Sequence, residues 1–250
     1  MVALLEMRDV HVSFSGFHAV AGLNLTVEPG ELRCLIGPNG AGKTTALDVI
    51  CGKAKAVAGE ILYRNRNITR WEEYLIARLG IGRKFQVPSV FKDLTVRENL
   101  RVAYCKKLSV FRNLLSRHDG ESVDGLEKLA EIVGLKDELS WQAHRLSHGQ
   151  TQWLETALLI AQDADLILMD EPTAGMTSAE THKTAELFTR LKGRHTLVVV
   201  EHDMGFVKEI GDTISVMHQG RILAEGKIAE IEQNPEVKRA YLGSGGISGA

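Results

Sequence analysis

Apolar positions in this chain recur in short runs whose spacing switches between strand-like and helix-like periods. Residues 10–14, 23–27 and 32–36 read as strands, with Pro29 and Gly30 turning the chain between the last two. Residues 44–51 predict a helix stopped by Gly52, and residues 60–63 and 79–85 predict further strands. From about Gln86 to Arg145 the pattern becomes helical segments joined by polar loops. There Thr95-Val96-Arg97-Glu98 fits a capping box ahead of Leu100, Val102, Ala103 and Tyr104. A second helix is expected over 125–133, closed by Gly134, after a polar loop over 116–124. Alternation then resumes. It predicts a helix over 149–162, a buried strand over 166–169 and a helix from Thr177 through Leu191 with Glu180 in the capping position. A β-branched strand over 196–200 and a hairpin turning at His218-Gln219-Gly220 follow. The small, polar end 243–250 is expected to fray.

Strands alternating with helices around a glycine-rich loop predict an α/β fold with a mainly parallel sheet flanked by helices. The 250 residues suit one large domain, with the helical stretch of about 87–162 inserted into it. Composition excludes more than it suggests. A formal net charge of −2 offers no general attraction to nucleic acid or anionic lipid. Cys34, Cys51 and Cys105 lack paired spacing and read as reduced core residues of a cytosolic protein. The first residues, with Glu6, Arg8 and Asp9, do not resemble a secretory signal. No apolar run reaches the ~18 residues of a membrane span, so a membrane role would require another protein as anchor.

Two runs carry the chemistry of phosphate binding. Gly37-Pro38-Asn39-Gly40-Ala41-Gly42-Lys43-Thr44-Thr45 follows a strand and opens a helix, the context a phosphate loop requires. Its glycines let backbone N–H groups close around a β-phosphate, Lys43 reaches the β- and γ-phosphates, and the Thr44 hydroxyl is placed for Mg²⁺. The second run is Leu146-Ser147-His148-Gly149-Gln150, where a hydroxyl, a glycine and an amide precede a helix and face an anion at its positive end. Two such elements need not meet within one molecule, which points to a nucleotide held between two subunits.

Other candidates sit where apolar strands end. Residues 166–169 deliver Asp170, expected to organise Mg²⁺, and Glu171, expected to orient and polarise an attacking water. His202 follows a similar strand and is placed to donate to a γ-phosphate oxygen. Gln86 stands where the helical stretch begins and could touch Mg²⁺ or the water. Phe14 is a candidate to stack on adenine, with core packing as the structural alternative and Phe17 as the competing ring.

With these motifs in this order, the chain resembles the nucleotide-binding subunit of an ABC transporter over its whole length. The resemblance implies a P-loop NTPase core, an N-terminal antiparallel β subdomain and an inserted helical lobe facing a transmembrane permease. It implies ATP and Mg²⁺ as ligands and a head-to-tail dimer, with Ser147, Gly149 and Gln150 acting on the partner subunit's nucleotide and Ala174-Gly175-Met176-Thr177 crossing the interface. It places the protein on the cytoplasmic face of the membrane, linked to an extracytoplasmic solute-binding protein through the permease and to no nucleic acid. One departure is His148, where most of the superfamily has glycine. That departure, with Gln152-Trp153-Leu154-Glu155, residues 77–86, Glu201-His202-Asp203-Met204 and Ala240-Tyr241-Leu242-Gly243, is similar to the group serving branched-chain amino acids, amides and urea. Residues 174–177 and 191–195 look closest to the first ATPase subunit of urea importers. Competing readings are a non-transport ABC ATPase on ribosomes or DNA, against which stand a single motif set and no heptad run, and a non-hydrolysing regulatory subunit, against which stand the occupied catalytic positions.

Overall fold

Two sheets organise the chain. The structure, a computed structural model, describes residues 2–84, 90–105 and 120–242. Strands β1 (Leu5–Phe14), β2 (Phe17–Val27), β4 (Ala58–Tyr63) and β5 (Arg66–Asn67) form an antiparallel sheet in the order β2-β1-β4-β5. The second sheet has the order β10-β9-β3-β8-β7-β6. In it β3 (Leu32–Ile36), β6 (Ile81–Arg83), β7 (Leu166–Asp170), β8 (Thr196–Val200) and β9 (Thr213–His218) run parallel, and β10 (Arg221–Gly226) returns antiparallel at one edge.

β3, β7 and β8 are buried at every position, because both faces of a parallel sheet are covered. Leu32, Cys34, Ile36, Ile167, Met169, Leu197 and Val199 join a core with helices α3 (Val96–Cys105), α4 (Gly120–Ile132), α5 (His148–Ala161) and α6 (Ser178–Leu191). Their strand neighbours Leu35, Leu166, Leu168, Val198 and Val200 face the opposite way, onto α1 (Lys43–Ile50) and the antiparallel sheet. Cys34 and Cys51 are buried and unbonded, as small core side chains should be. The remaining helices are short: α2 (Glu73–Arg78), α7 (Met204–Ile210), α8 (Ile228–Gln233) and α9 (Pro235–Leu242). No helix among the described residues is long and apolar enough to cross a membrane.

The Thr95 capping box is present, with Thr95 N donating to Glu98 Oε2 at 2.7 Å and Glu98 N to Thr95 Oγ1 at 3.2 Å. Other boundaries moved for identifiable reasons. β1 starts at Leu5, not at residue 10, because a bulge with Asp9 at φ 47° shifts the register and breaks the apolar alternation. β2 starts at Phe17, interrupted in the same way at Gly22, φ 86°. The strand expected over 79–85 is described only as Ile81–Arg83, since α2 and its cap take the residues before it. Residues 120–124 are helical where a loop was expected. Residues 116–119, Phe85, Gln86 and the tail 243–250 lie outside the described residues.

Candidate active site

The pairings Leu35↔Val200 and Asp170↔Val200 set the C-terminal ends of β3, β8 and β7 side by side. The segments starting at Gly37, Glu201 and Glu171 therefore leave the sheet at one rim, where open parallel sheets bind ligands.

The phosphate loop is wedged at this rim by sterics. A side chain at Gly37 would put its Cβ 2.2 Å from the Met217 carbonyl oxygen, and one at Gly42 (φ 99°) 2.3 Å from that of Ala19. The turn of the β9–β10 hairpin stitches the loop down, with Gly220 N donating to Ala41 O at 2.9 Å and Ala21 N to Gly220 O at 3.0 Å. Lys43 is buried and donates from Nζ to the carbonyls of Gly37 (2.7 Å) and Pro38 (3.0 Å). Burial depresses its pKa, opposed by the nearby carboxylates of Glu171 and Asp170. Asn39, Gly40 and Thr44 are exposed, Pro38 and Thr45 half-buried, and Ala41 buried.

Asp170 is buried at the end of β7, and neither of its carboxylate oxygens accepts a hydrogen bond of normal geometry. Arg83 Nη2 stands 3.8 Å from Oδ2, while the same guanidinium is paired with Asp48. Desolvation raises the Asp170 pKa, and the Thr44 hydroxyl and Arg83 pull it back. Two open oxygens beside a hydroxyl are a hard donor set, and Mg²⁺ is held by few protein oxygens because it keeps water and substrate phosphate as its other ligands. The residues fit the ion. Among the described residues there is no cluster of three or more His, Cys, Asp or Glu that would hold a metal by itself.

Glu171 takes a left-handed backbone, φ 48°, which a non-glycine residue adopts at a cost. Its N–H donates to Val200 O at 2.9 Å, fixing the turn that lifts its side chain out of the core. His202 Nε2 lies 2.5 Å from Glu171 Oε1, with both side chains about half exposed. Phe14 does not pack in the core. It is 51% exposed and pairs across the β1–β2 turn with Phe17, which is 68% exposed.

The second run opens α5. Ser147 is its N-cap, with Gln150 N donating to Ser147 Oγ at 3.2 Å and Ser147 N to Gln150 Oε1 at 2.9 Å. Gln150 spends its amide N–H on Glu138 Oε1 at 2.9 Å. Its side chain is thus engaged within the chain, as is the exposed Ser147 hydroxyl, which donates to Glu180 Oε1 at 2.8 Å. His148 Nε2 is 3.0 Å from Ala174 O. Among the described residues no hydrogen bond joins this run to the phosphate loop of the same chain.

Residues 20–174 match the ABC transporter family. The chain belongs to that family. Residues 221–247 additionally match the branched-chain amino acid ATP-binding cassette transporter segment. The chain is 38% identical to the high-affinity branched-chain amino acid transport ATP-binding protein LivG of Escherichia coli, over 96% of this chain and 98% of the relative. It is 35% identical to BraF of Pseudomonas aeruginosa, described likewise, again over 96% and 98%. It superposes with a TM-score of 0.85 on the ADP conformation of MJ1267, an ATP-binding cassette of an ABC transporter, at 31% identity, covering 97% of this chain and 100% of that one. The fold is that of an ABC ATPase, and the chain is an ATPase whose hydrolysis is coupled to transport.

Several residues of this ABC ATPase escaped sequence reasoning. Glu201, buried, accepts from Thr173 N (3.0 Å) and Thr173 Oγ1 (2.6 Å), and its other oxygen accepts from His202 N at 3.1 Å. It therefore braces the segments carrying Glu171 and His202 against each other. Lys84 is buried near Glu155, Glu201 and Asp170, and burial lowers its pKa. For Glu201 the available signal was a charged residue directly after the apolar run Leu197–Val200, a position that reads equally well as solvated; Lys84 follows Arg83 and offers no such signal.

Proposed function

We propose that this chain is the ATP-hydrolysing subunit of an importer, working on the cytoplasmic face of a membrane in a dimer with a second ATPase subunit and bound to transmembrane permease subunits. The helical lobe of about 87–162 is the part that meets the permease. The observation that carries the reading is the Glu171 carboxylate, held by His202 at 2.5 Å on the rim it shares with buried Asp170 and Lys43.

The phosphate loop binds the substrate's phosphates through backbone N–H groups, with Lys43 exchanging the Gly37 and Pro38 carbonyls for phosphate oxygens. Thr44, Asp170 and Gln86 would hold Mg²⁺, which would supply charge neutralisation to the substrate's phosphates. Glu171 orients the attacking water and accepts its proton. His202 fixes the Glu171 rotamer and faces the γ-phosphate. Phe14 stacks on adenine. Ser147 and Gly149 complete the partner subunit's site, so turnover belongs to the dimer. Replacing Glu171 with Gln should leave MgATP binding intact and reduce turnover by about 10²–10⁴, the scale of a lost general base. Unchanged turnover removes Glu171 from this role.

For the solute we propose urea or a related small amide, supported by residues 174–177 and 191–195. The relatives' names favour branched-chain amino acids as a second reading. Uptake of labelled urea and labelled leucine by cells with and without this chain separates the two, and identifying the permease that co-purifies from native membranes supports or removes both.

A further inference from the structure

The positive end of α5 already holds an anion. Ser147 Oγ donates to Glu180 Oε1 at 2.8 Å, and the same carboxylate lies against the Gly149 backbone. A Cβ placed on Gly149 would lie 2.6 Å from that Oε1, and Gly149 is buried although Ser147 and His148 before it are exposed. Glu180 lies over the glycine. Its other oxygen, Oε2, is committed elsewhere, accepting from Thr177 N at 3.0 Å and Thr177 Oγ1 at 2.9 Å as the N3 residue of the α6 capping box. One carboxylate thus serves two helix N-termini, α5 through one oxygen and α6 through the other.

The α6 contact is ordinary capping. The α5 contact is not, because Ser147 already caps α5 and Glu180 comes from a different helix. It takes the Ser147 hydroxyl and covers the Gly149 backbone, the two donors that a phosphate oxygen would use. We propose that Glu180 is an internal competitor for the partner nucleotide's terminal phosphate, so that nucleotide engagement across the dimer requires Oε1 to release Ser147 and Gly149 while Oε2 keeps Thr177. The proposal rests on the reading that Ser147 and Gly149 meet the partner's ATP. A carboxylate left within hydrogen-bond reach of those donors would face the negative charge of the phosphate, and the two cannot share the site without repulsion. Glu180 is also on the segment that begins at Glu171, and His148 fastens that segment to the same loop through Ala174 O at 3.0 Å. Release at Ser147 is therefore felt by the stretch that carries the hydrolytic carboxylate.

The test measures MgATP-driven association of the full chain by sedimentation velocity in a Glu171→Gln background, alone and with the ATPase subunit that co-purifies with it. Glu180→Gln keeps the capping box, since Gln serves at N3, and keeps an acceptor for Ser147, but removes the charge. We expect about threefold tighter association at low salt, the scale of one exposed charge pair, with the gain vanishing at ~0.5 M salt as screening shortens to a few ångströms. Unchanged or weaker association at low salt overturns the proposal, as does a gain that persists at high salt. Ser147→Ala is measured beside it. If that variant associates normally, the reading of Ser147 as a contact to the partner's nucleotide fails, whatever Glu180→Gln does.

Discussion

The phosphate loop and the Ser147–Gln150 run both open helices and are both proposed to bind phosphate, yet they are held by opposite means. The first is shaped by backbone sterics, with Gly37 and Gly42 pressed against the carbonyls of Met217 and Ala19 and the Gly220 turn clamped onto Ala41. The second is shaped by side chains, through Ser147, His148, Gln150 and Glu180, with Ser147 and His148 exposed. On the proposed reading, the first closes around a nucleotide of its own chain, so it can be fixed by its own backbone packing. On the same reading, the second reaches another subunit's nucleotide, so it has to present its donors at the surface and be able to let go of them.

Substitutions can break or sharpen this contrast. The largest effect is expected at Gly42→Ala, where a left-handed φ of 99° and backbone 2.3 Å from the new Cβ leave no room to relax. Strain and overpacking together cost about 3 kcal/mol or more, read as a shift in the urea unfolding midpoint together with loss of MgATP binding. Ser147→Ala removes an N-cap and should cost about 1 kcal/mol in the same unfolding measurement, with MgATP binding to the isolated chain unchanged. Gly149→Ala should cost least, under about 1 kcal/mol, because its new Cβ meets the end of the flexible Glu180 side chain at 2.6 Å and not backbone. A Gly149→Ala cost matching that of Gly42→Ala would erase the distinction between a steric loop and a wired one.

The two regions also differ in how much of them the sequence discloses. Glycine spacing after a strand reports the phosphate loop almost completely, because the same steric need that shapes the loop dictates the residues. Asp170 and Glu171 are legible for a related reason, as acids ending a strand buried at every position. Glu180 is visible only as a capping residue. Its bond to Ser147 joins residues 33 apart in sequence and leaves no local pattern. Glu201 bracing Thr173 is a second case, formed across 28 residues. In the fold, the parallel strands are plain because they are uniformly apolar, whereas β1 and β2 are shortened on paper by their bulges. The six-residue α2, with Ile76 as its buried residue, is too short to show a helical period.

Glu171 shows what its proposed catalytic role would cost this molecule. Its left-handed backbone, φ 48°, is one that glycine would occupy more comfortably. An enzyme bearing Glu171→Gly should therefore resist heat as well as or better than the native chain, by up to ~1 kcal/mol at the melting transition, while turning over no ATP. On the proposed role of Glu171, selection for robustness and selection for turnover pull in opposite directions at this one residue, and the native chain carries the glutamate.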